Sequence, residues 1–314
     1  MKQALFIAGP TASGKSALSL RLAKDIGGVI INADSMQVYK GLRTLTACPS
    51  EADERAAPHK LYRFLEPAIP CSAVFWAEKA MVEIEAAWSA ELMPIVIGGT
   101  GMYFKILLEG IAAIPAIDPA LRSAVRDECK QFGSEKLHNE LLLGDPVTAA
   151  RLAPGDSQRI SRAIEVLRAT GKPLSEWHRK NAPGLMQEAD RSGLIGKFVI
   201  SPERDQLYER CNKRFDMMLN TGVENEVRDL MALDLDPALP VMRALGVPSL
   251  MAMIKGEAEA AEAIEEAKMQ TRRFAKRQMT WFRNQFTDWK RLSAQLSESE
   301  YEKLFTKYAQ KLID

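Results

Sequence analysis

The segment Gly9-Pro10-Thr11-Ala12-Ser13-Gly14-Lys15-Ser16 carries the spacing G-x-x-x-x-G-K-S in full. These residue types suit one task, the binding of a polyphosphate. Glycines let successive backbone N–H groups turn inward on an anion. The N-terminus of a following helix adds its dipole, Lys15 adds a point charge, and Ser16 offers a hydroxyl to Mg²⁺. The cradle specifies neither a nucleotide nor phosphoryl transfer. A P-loop ATPase also needs an acid at the end of a later strand to hold its metal. Here the third apolar run ends in Gly98-Gly99-Thr100-Gly101, with neither Asp nor Glu. An acid stands instead at Asp34, just past the second apolar run. In open α/β sheets, ligands bind beyond the carboxyl ends of the strands. Asp34 is therefore expected near the cradle, where a carboxylate can take a proton from a nucleophile. Taken alone, the same residue also reads as an Asx turn or a helix cap. Gln37 has an amide suited to a base edge, or is simply a solvent-facing polar residue.

The elements that must position these groups follow from the apolar pattern. Ala4 to Ala8, Val29 to Asn32, Pro94 to Gly98 and Lys197 to Ile200 are short apolar runs that predict four strands. Ser16 to Asp25 predicts the helix that closes the cradle. Apolar strands alternating with helices predict an α/β fold, a P-loop-type parallel sheet flanked by helices. Asp118 to Arg168 has no strand-like run and repeats apolar residues at helical spacing, as in Leu121, Val125 and Cys129. It predicts a helical insertion at 116–189 into a discontinuous core formed by 1–115 and 190–314. Glu257 to Arg283 predicts a long helix, and Ser297 to Asp314 a polar amphipathic tail.

The 314 residues carry a net charge of +1. That excludes a histone-like polycation but leaves nucleic-acid binding open, because basic residues can be segregated on one face. Cys48, Cys71, Cys129 and Cys211 have long spacings without C-x-x-C, and His59, His138 and His178 are equally scattered. Neither a structural zinc site nor a disulfide scaffold is expected, and unpaired thiols fit a reducing cytoplasm. No segment reaches the apolar length of a membrane span.

Beyond the cradle, Asn32-Ala33-Asp34-Ser35-Met36-Gln37-Val38-Tyr39, Gly98-Gly99-Thr100-Gly101-Met102-Tyr103, Gln158 to Val166 and Lys276 to Arg283 follow in order. Together with Gly9 to Ser16, this set resembles the bacterial tRNA dimethylallyltransferases, which modify adenine 37 beside the anticodon. The resemblance runs to about Leu292. It implies transfer of a dimethylallyl group from dimethylallyl diphosphate to N6 of adenine 37, releasing diphosphate. The P-loop then holds an alkyl donor's diphosphate, which agrees with the missing acid after the third strand. By the same likeness Asp34 is the general base and Thr100 lies near the reacting adenine. Lys15 and Mg²⁺ on Ser16 stabilise the leaving group. Ser35, Met36 and Gln37 grip the flipped base. Arg122 and Gln158, Arg159, Ile160, Ser161 and Arg162 contact tRNA. Alone, Thr100 also reads as a helix N-cap, and Arg159 and Arg162 as a solvated face. The resemblance also implies that an arginine of a later helix reaches the diphosphate. Arg214 is preferred, with Arg210 on the same face left open. Arg243 and Gly246 keep a family segment whose next positions depart from the pattern, because Val247 replaces an aromatic and Pro248 follows it. The implied partners are the tRNA anticodon stem-loop with adenines 36 and 37, and dimethylallyl diphosphate. A monomer away from membranes is expected.

Residues 268–291 hold eight basic residues against Asp288 alone, so +7 sits in one segment and the remainder of the chain sums to −6. Phe274, Trp281, Phe282, Phe286 and Trp289 interleave with these charges and are expected mainly in the core. The family likeness points the basic residues toward RNA or diphosphate. Two other functions share the P-loop: a small-molecule or nucleotide kinase, and a non-catalytic RNA-binding protein. The Gly-Gly-Thr-Gly end of the third strand and the lack of an arginine-rich lid flanked by glycines disfavour the kinase.

Overall fold

A computed structural model of the chain describes residues 2–179 and 181–304. In chain order the first elements are β1 (Ala4–Ala8), α1 (Lys15–Ile26), β2 (Gly28–Asn32), α2 (Glu51–Ala56), β3 (His59–Lys60), α3 (Ala73–Ser89), β4 (Met93–Gly98) and α4 (Gly101–Glu109). Six helices follow: α5 (Pro119–Phe132), α6 (Ser134–Gly144), α7 (Pro146–Ala149), α8 (Ser157–Thr170), α9 (Leu174–His178) and α10 (Gln187–Arg191). The chain then forms β5 (Ile195–Ile200), α11 (Arg204–Leu219), α12 (Val223–Ala232), α13 (Val247–Ile254), α14 (Ala260–Gln285) and β6 (Lys290–Leu292). It divides into two compact units, one of residues 1–107 with 188–314 and one of residues 108–187.

The first unit is built on one parallel sheet of strand order β3-β2-β4-β1-β5-β6. Every residue of β1 is buried, because a central parallel strand is covered on both faces and therefore reads as an unbroken apolar run. β3 and β6 add to the four expected strands. They have two and three residues and include His59, Lys60, Lys290 and Arg291. Pairing with β2 and β5 makes them strands, since their own apolar pattern does not. The expected helix at the cradle is α1, and the expected long helix is α14, shifted by about one turn. Residues 298–304 are helical, while 305–314 of the expected tail lie outside the described residues.

The aromatics at the end of α14 pack as the expected core. Phe282 and Phe286 are fully buried, and Phe286 stacks on Trp289 at 4.0 Å and 2°. Trp289 meets Phe104 edge-on at 5.5 Å, and Phe104 lies 5.7 Å from Phe6 of β1. Each such side chain contributes roughly 1.5–3 kcal/mol by leaving water. This layer anchors α14 to the sheet.

Sheet order decides what meets at the carboxyl edge. β4 lies between β2 and β1, with Asn32 opposite Ile97 and Ala8 opposite Gly98. The N–H of Gly9 donates to Gly98 O at 3.3 Å, and the N–H of Thr100 to Ala33 O at 3.1 Å. Three loops are thereby laid side by side. The approach is close enough that a Cβ on Gly98 would stand 2.0 Å from Ala33 O.

The second unit has its own core, with Val125, Leu137, Leu141, Ile160 and Ile164 completely buried. His138 is buried there, its Nε2 within 3.1 Å of Ala149 O and 3.2 Å of Leu152 O. Asp145 caps α7 through Thr148 and accepts the N–H of Ser175 at 2.9 Å. No described helix is long and apolar enough to cross a membrane.

A Gly98→Ala variant meets a backbone atom that cannot rotate away. It should lose about 2–3 kcal/mol of unfolding free energy, the upper part of the overpacking range. Urea denaturation of the purified variant measures this.

Candidate active site

The cradle occupies the turn from β1 into α1. Gly14 ends that turn as the N-cap of α1 at φ +90°, in the left-handed region that glycine adopts without strain. The N–H of Ser13 donates to Pro10 O at 3.3 Å, and Lys15 Nζ donates to the same carbonyl at 3.3 Å. Ser13 is fully buried, and its hydroxyl has no hydrogen-bond partner. Ser16 is exposed at the first turn of α1, and among the described residues its hydroxyl makes no hydrogen bond. Burial brings the Lys15 ammonium down to about 8, with Asp34 opposing the shift and Arg214 adding to it.

Arg214 settles on this cradle. Its guanidinium donates to the hydroxyl of Thr11, and burial pulls it below its ordinary value. The surface acids near its helix are engaged elsewhere, Glu209 with Lys213 at 2.6 Å and Glu224 with Arg228 at 3.9 Å. Arg210 is half-buried and has no comparable contact with the loop. Of the two arginines left open by sequence, only Arg214 reaches the P-loop.

Asp34 does two things at once. Its Oδ1 accepts the N–H of Met36 at 2.9 Å, an Asx turn, and its own N–H donates to Asn32 Oδ1 at 2.9 Å. Its Oδ2 faces Gly99, where an added Cβ would stand 3.3 Å from it. One carboxylate oxygen thus holds the loop, and the other faces the end of β4. Asn32 is fully buried and donates to the carbonyls of Asp34 and Leu61, while its own carbonyl takes the indole N–H of Trp76 at 2.8 Å. Trp76 stacks on Tyr103 at 4.1 Å and so supports the loop from below. The Thr100 hydroxyl accepts the N–H of Ser35 at 2.9 Å and donates to the Ser35 hydroxyl at 3.3 Å. It ties the end of β4 to the loop after β2.

Gln278 had no role in the sequence reading. It is buried on α14, accepts the N–H of Thr11 at 2.9 Å and donates to Gly99 O at 2.9 Å. A polar residue on the inner face of an amphipathic helix was the one available signal, because a buried amide demands partners. Glu226 was missed too. Its carboxylate takes the N–H groups of Thr44 and Leu45 at 2.6 and 3.0 Å and pins the loop from which Leu45 and Thr46 project.

Of these groups, Thr11, Asp34 and Arg214 border a cavity of about 270 Å³, whereas Lys15, Thr100 and Gln278 do not line it. Thr11, Asp34, Arg214, Arg243 and Arg277 bring polar groups to it, and Met36, Leu45, Phe215, Met218, Leu245 and Phe274 are its apolar walls. Ser35 also lines it. Gln37 does not. Its amide donates to the carbonyls of Thr46 and Ala47, each at 2.9 Å, and it borders a separate cavity with Ser16 and Cys48. Val247 is completely buried, and Pro248 sits in the first turn of α13, where its missing N–H costs nothing. The departure at these two positions is therefore absorbed by local packing.

In the second unit, Gln158 and Arg159 are exposed and Arg162 half-exposed on α8. Ile160 and Ser161 turn inward, at 0% and 7% exposure. A helix advancing 100° per residue cannot present five consecutive side chains on one face, and here the exposed ones are Gln158, Arg159 and, in part, Arg162. Arg159 also pairs with Asp156, the N-cap of α8, at 2.6 Å.

A family model described as IPP transferase matches residues 37–285, and one described as isopentenyl transferase matches residues 2–62. A tRNA dimethylallyltransferase of Rhodopseudomonas palustris (strain BisB18) is 48% identical over 286 residues, covering 91% of this chain and 89% of that protein. The tRNA dimethylallyltransferase of Paramagnetospirillum magneticum is 45% identical over 310 residues, covering 99% and 97%. Among solved structures, the full-length tRNA isopentenylpyrophosphate transferase of Bacillus halodurans superposes with a TM-score of 0.70 at 28% identity, covering 100% of this chain and 97% of that one. A eukaryotic dimethylallyltransferase crystallised acting on tRNA gives 0.79 at 26% identity, covering 100% and 78%. A P-loop-type sheet and a family model spanning most of the chain place it in the IPP transferase family, among the prenyl-transferring enzymes named tRNA dimethylallyltransferases.

Proposed function

We propose that this enzyme transfers a dimethylallyl group from dimethylallyl diphosphate to N6 of adenine 37 in the anticodon loop of tRNA. The observation that carries this reading is the convergence on one cavity. The Thr11–Arg214 side of the cradle and the Asp34 carboxylate border the same space of about 270 Å³. An anion-binding group and a proton acceptor thus flank one partly apolar pocket, which suits an alkyl diphosphate meeting a weakly basic amine.

In this mechanism N6 attacks C1 of the donor, and the C1–O bond breaks with its electron pair leaving on diphosphate. Lys15, Arg214 and the loop N–H groups face the charge that develops there. The N6 proton goes to Asp34 Oδ2, the oxygen not used in the Asx turn. Thr100 holds Ser35 and Asp34 in register with the base. Ser35 and Met36 provide the wall against which an extracted adenine packs, which offsets the few kcal/mol lost on unstacking. Arg122, Gln158, Arg159, Arg162 and Arg243 supply contacts to the anticodon stem-loop, and Gln37 supports the pocket through its carbonyl ties.

Mg²⁺ fits the donor set in one way. No described cluster of three or more His, Cys, Asp or Glu forms a protein cage, and Mg²⁺ commonly keeps its waters and binds through phosphates with one or two protein oxygens. The free Ser16 hydroxyl is such an oxygen. When bound, the ion supplies further charge neutralisation on the departing diphosphate.

The direct test is incubation of the protein with dimethylallyl diphosphate, Mg²⁺ and unmodified tRNA carrying adenines 36 and 37. One added five-carbon unit on adenosine 37, read by mass spectrometry, is expected. An unmodified tRNA, or modification at another site, overturns the reading. In Asp34→Asn the side-chain oxygen can still accept the Met36 N–H, so the loop survives while the proton acceptor is lost. Turnover should fall about 10²–10⁴-fold with unchanged thermal unfolding.

Lys15 gives a pH dependence with a defined sign. The charged lysine binds the anion, and in the free enzyme it loses its proton near pH about 8. Diphosphate in the cradle raises that value. Affinity for diphosphate is therefore full below about 8 and falls as pH rises above it, by up to about tenfold per pH unit. Calorimetric titration with diphosphate between neutral and alkaline pH should show this fall together with proton uptake on binding.

A further inference from the structure

One buried carboxylate in the second unit has three arginines around it. Glu165 on α8 has a side chain only 5% exposed. Arg162, one turn earlier on the same helix, brings Nη1 to 3.4 Å of its Oε2. From α5, Arg122 Nε stands 3.6 Å from Oε2 and Arg126 Nε 3.8 Å from Oε1. Arg122 and Arg126 are four residues apart and so share one helix face. The three arginine side chains remain 42%, 59% and 42% exposed.

A single carboxylate cannot satisfy three guanidinium groups. The cluster keeps a net charge of +2, and Arg122 Nε has no hydrogen-bond partner. Arg162 hydrogen-bonds the carboxylate and Arg122 and Arg126 approach it at ion-pair distance, so the three side chains gather about one anion while each stays partly open to solvent. Long arginine side chains normally lose much conformational entropy when they engage a phosphate. Here Glu165 has already restricted them.

We infer that Glu165 is a positioning residue that gathers Arg122, Arg126 and Arg162 into one clamp for RNA backbone phosphate, with Arg126 as a contact of its own. This rests on the proposed tRNA substrate. The carboxylate acts against the simple charge effect, which makes the claim testable. Glu165→Gln makes the protein more positive by one charge, so bulk electrostatics predicts tighter tRNA binding. Loss of the gathering anion predicts weaker binding.

The experiment measures tRNA Kd against salt concentration for wild type, Glu165→Gln and Arg126→Ala. Glu165→Gln should bind several-fold more weakly despite its added positive charge, with a shallower salt dependence. Arg126→Ala should reduce the slope of log K against log salt by about 0.7–0.9, the value for one phosphate contact. Tighter or unchanged binding by Glu165→Gln, with circular dichroism and urea unfolding like wild type, overturns the inference. If Glu165→Gln unfolds the second unit, Arg126→Ala decides. Its only side-chain tie among the described residues is to Glu165, so an unchanged salt slope there overturns the inference and a reduced one supports it. Wild type that fails to prenylate tRNA defeats the parent reading. Wild-type activity with variants that bind like wild type defeats the clamp alone.

Discussion

The side chain of Gln278 spans two loops that lie 267 and 179 residues from it in sequence, accepting from Thr11 and donating to Gly99. Both partners are backbone groups at the carboxyl edge of the sheet, where neither strand pairing nor helix bonding can satisfy them. The amide satisfies both at once, and it does so from a helix whose far end is anchored by Phe282, Phe286 and their stacked neighbours. The P-loop and the end of β4 therefore share one mechanical reference. Thr11 is held a second time by Arg214 through its hydroxyl. The residue in the middle of the P-loop is thus fixed from α14 and α11 together, which suits a reaction whose rate depends on the distance between a leaving group and a nucleophile.

Charge in the site is not balanced within the protein. Lys15 and Arg214 are both pushed toward neutrality by burial, and Asp34 is the carboxylate that opposes this for each. Two buried cations with one nearby acid are an incompletely neutralised arrangement. The second unit carries the same kind of cation excess at a surface, where Glu165 faces three arginines that stay partly exposed. Both sites are incompletely neutralised, one in a desolvated pocket and one where solvent and salt compete.

Legibility varied with the range of the forces involved. The P-loop, its strand and its helix were legible because each depends on residues within one short segment. The Asx turn at Asp34 was legible for the same reason, and the structure makes it compatible with a free Oδ2. β3 and β6 were not legible, since His59-Lys60 and Lys290-Arg291-Leu292 are too short and too polar to signal a strand and become one only by lying beside β2 or β5. The stretch 158–162 was legible as a motif, but facing was not read from it. Helical rotation sends Ile160 and Ser161 into the core and leaves Arg162 at the surface. Gln37 looked free for a base, and its amide is committed to the Thr46 and Ala47 carbonyls by a loop closure that no spacing reveals.

By itself the sequence determined the chemistry available: a cradle for polyphosphate, an acid one strand away, no metal-holding acid after β4, and a basic α14. These follow from residue types and short-range periodicity, which act over a few residues. Only the tertiary structure decided which groups meet. It chose Arg214 over Arg210, placed Gln278 between the two loops, and gathered Arg122, Arg126 and Arg162 about Glu165. Such choices depend on strand order, on helix rotation and on the need of every buried polar group for a partner. Those constraints act between segments far apart in the chain and leave no local trace.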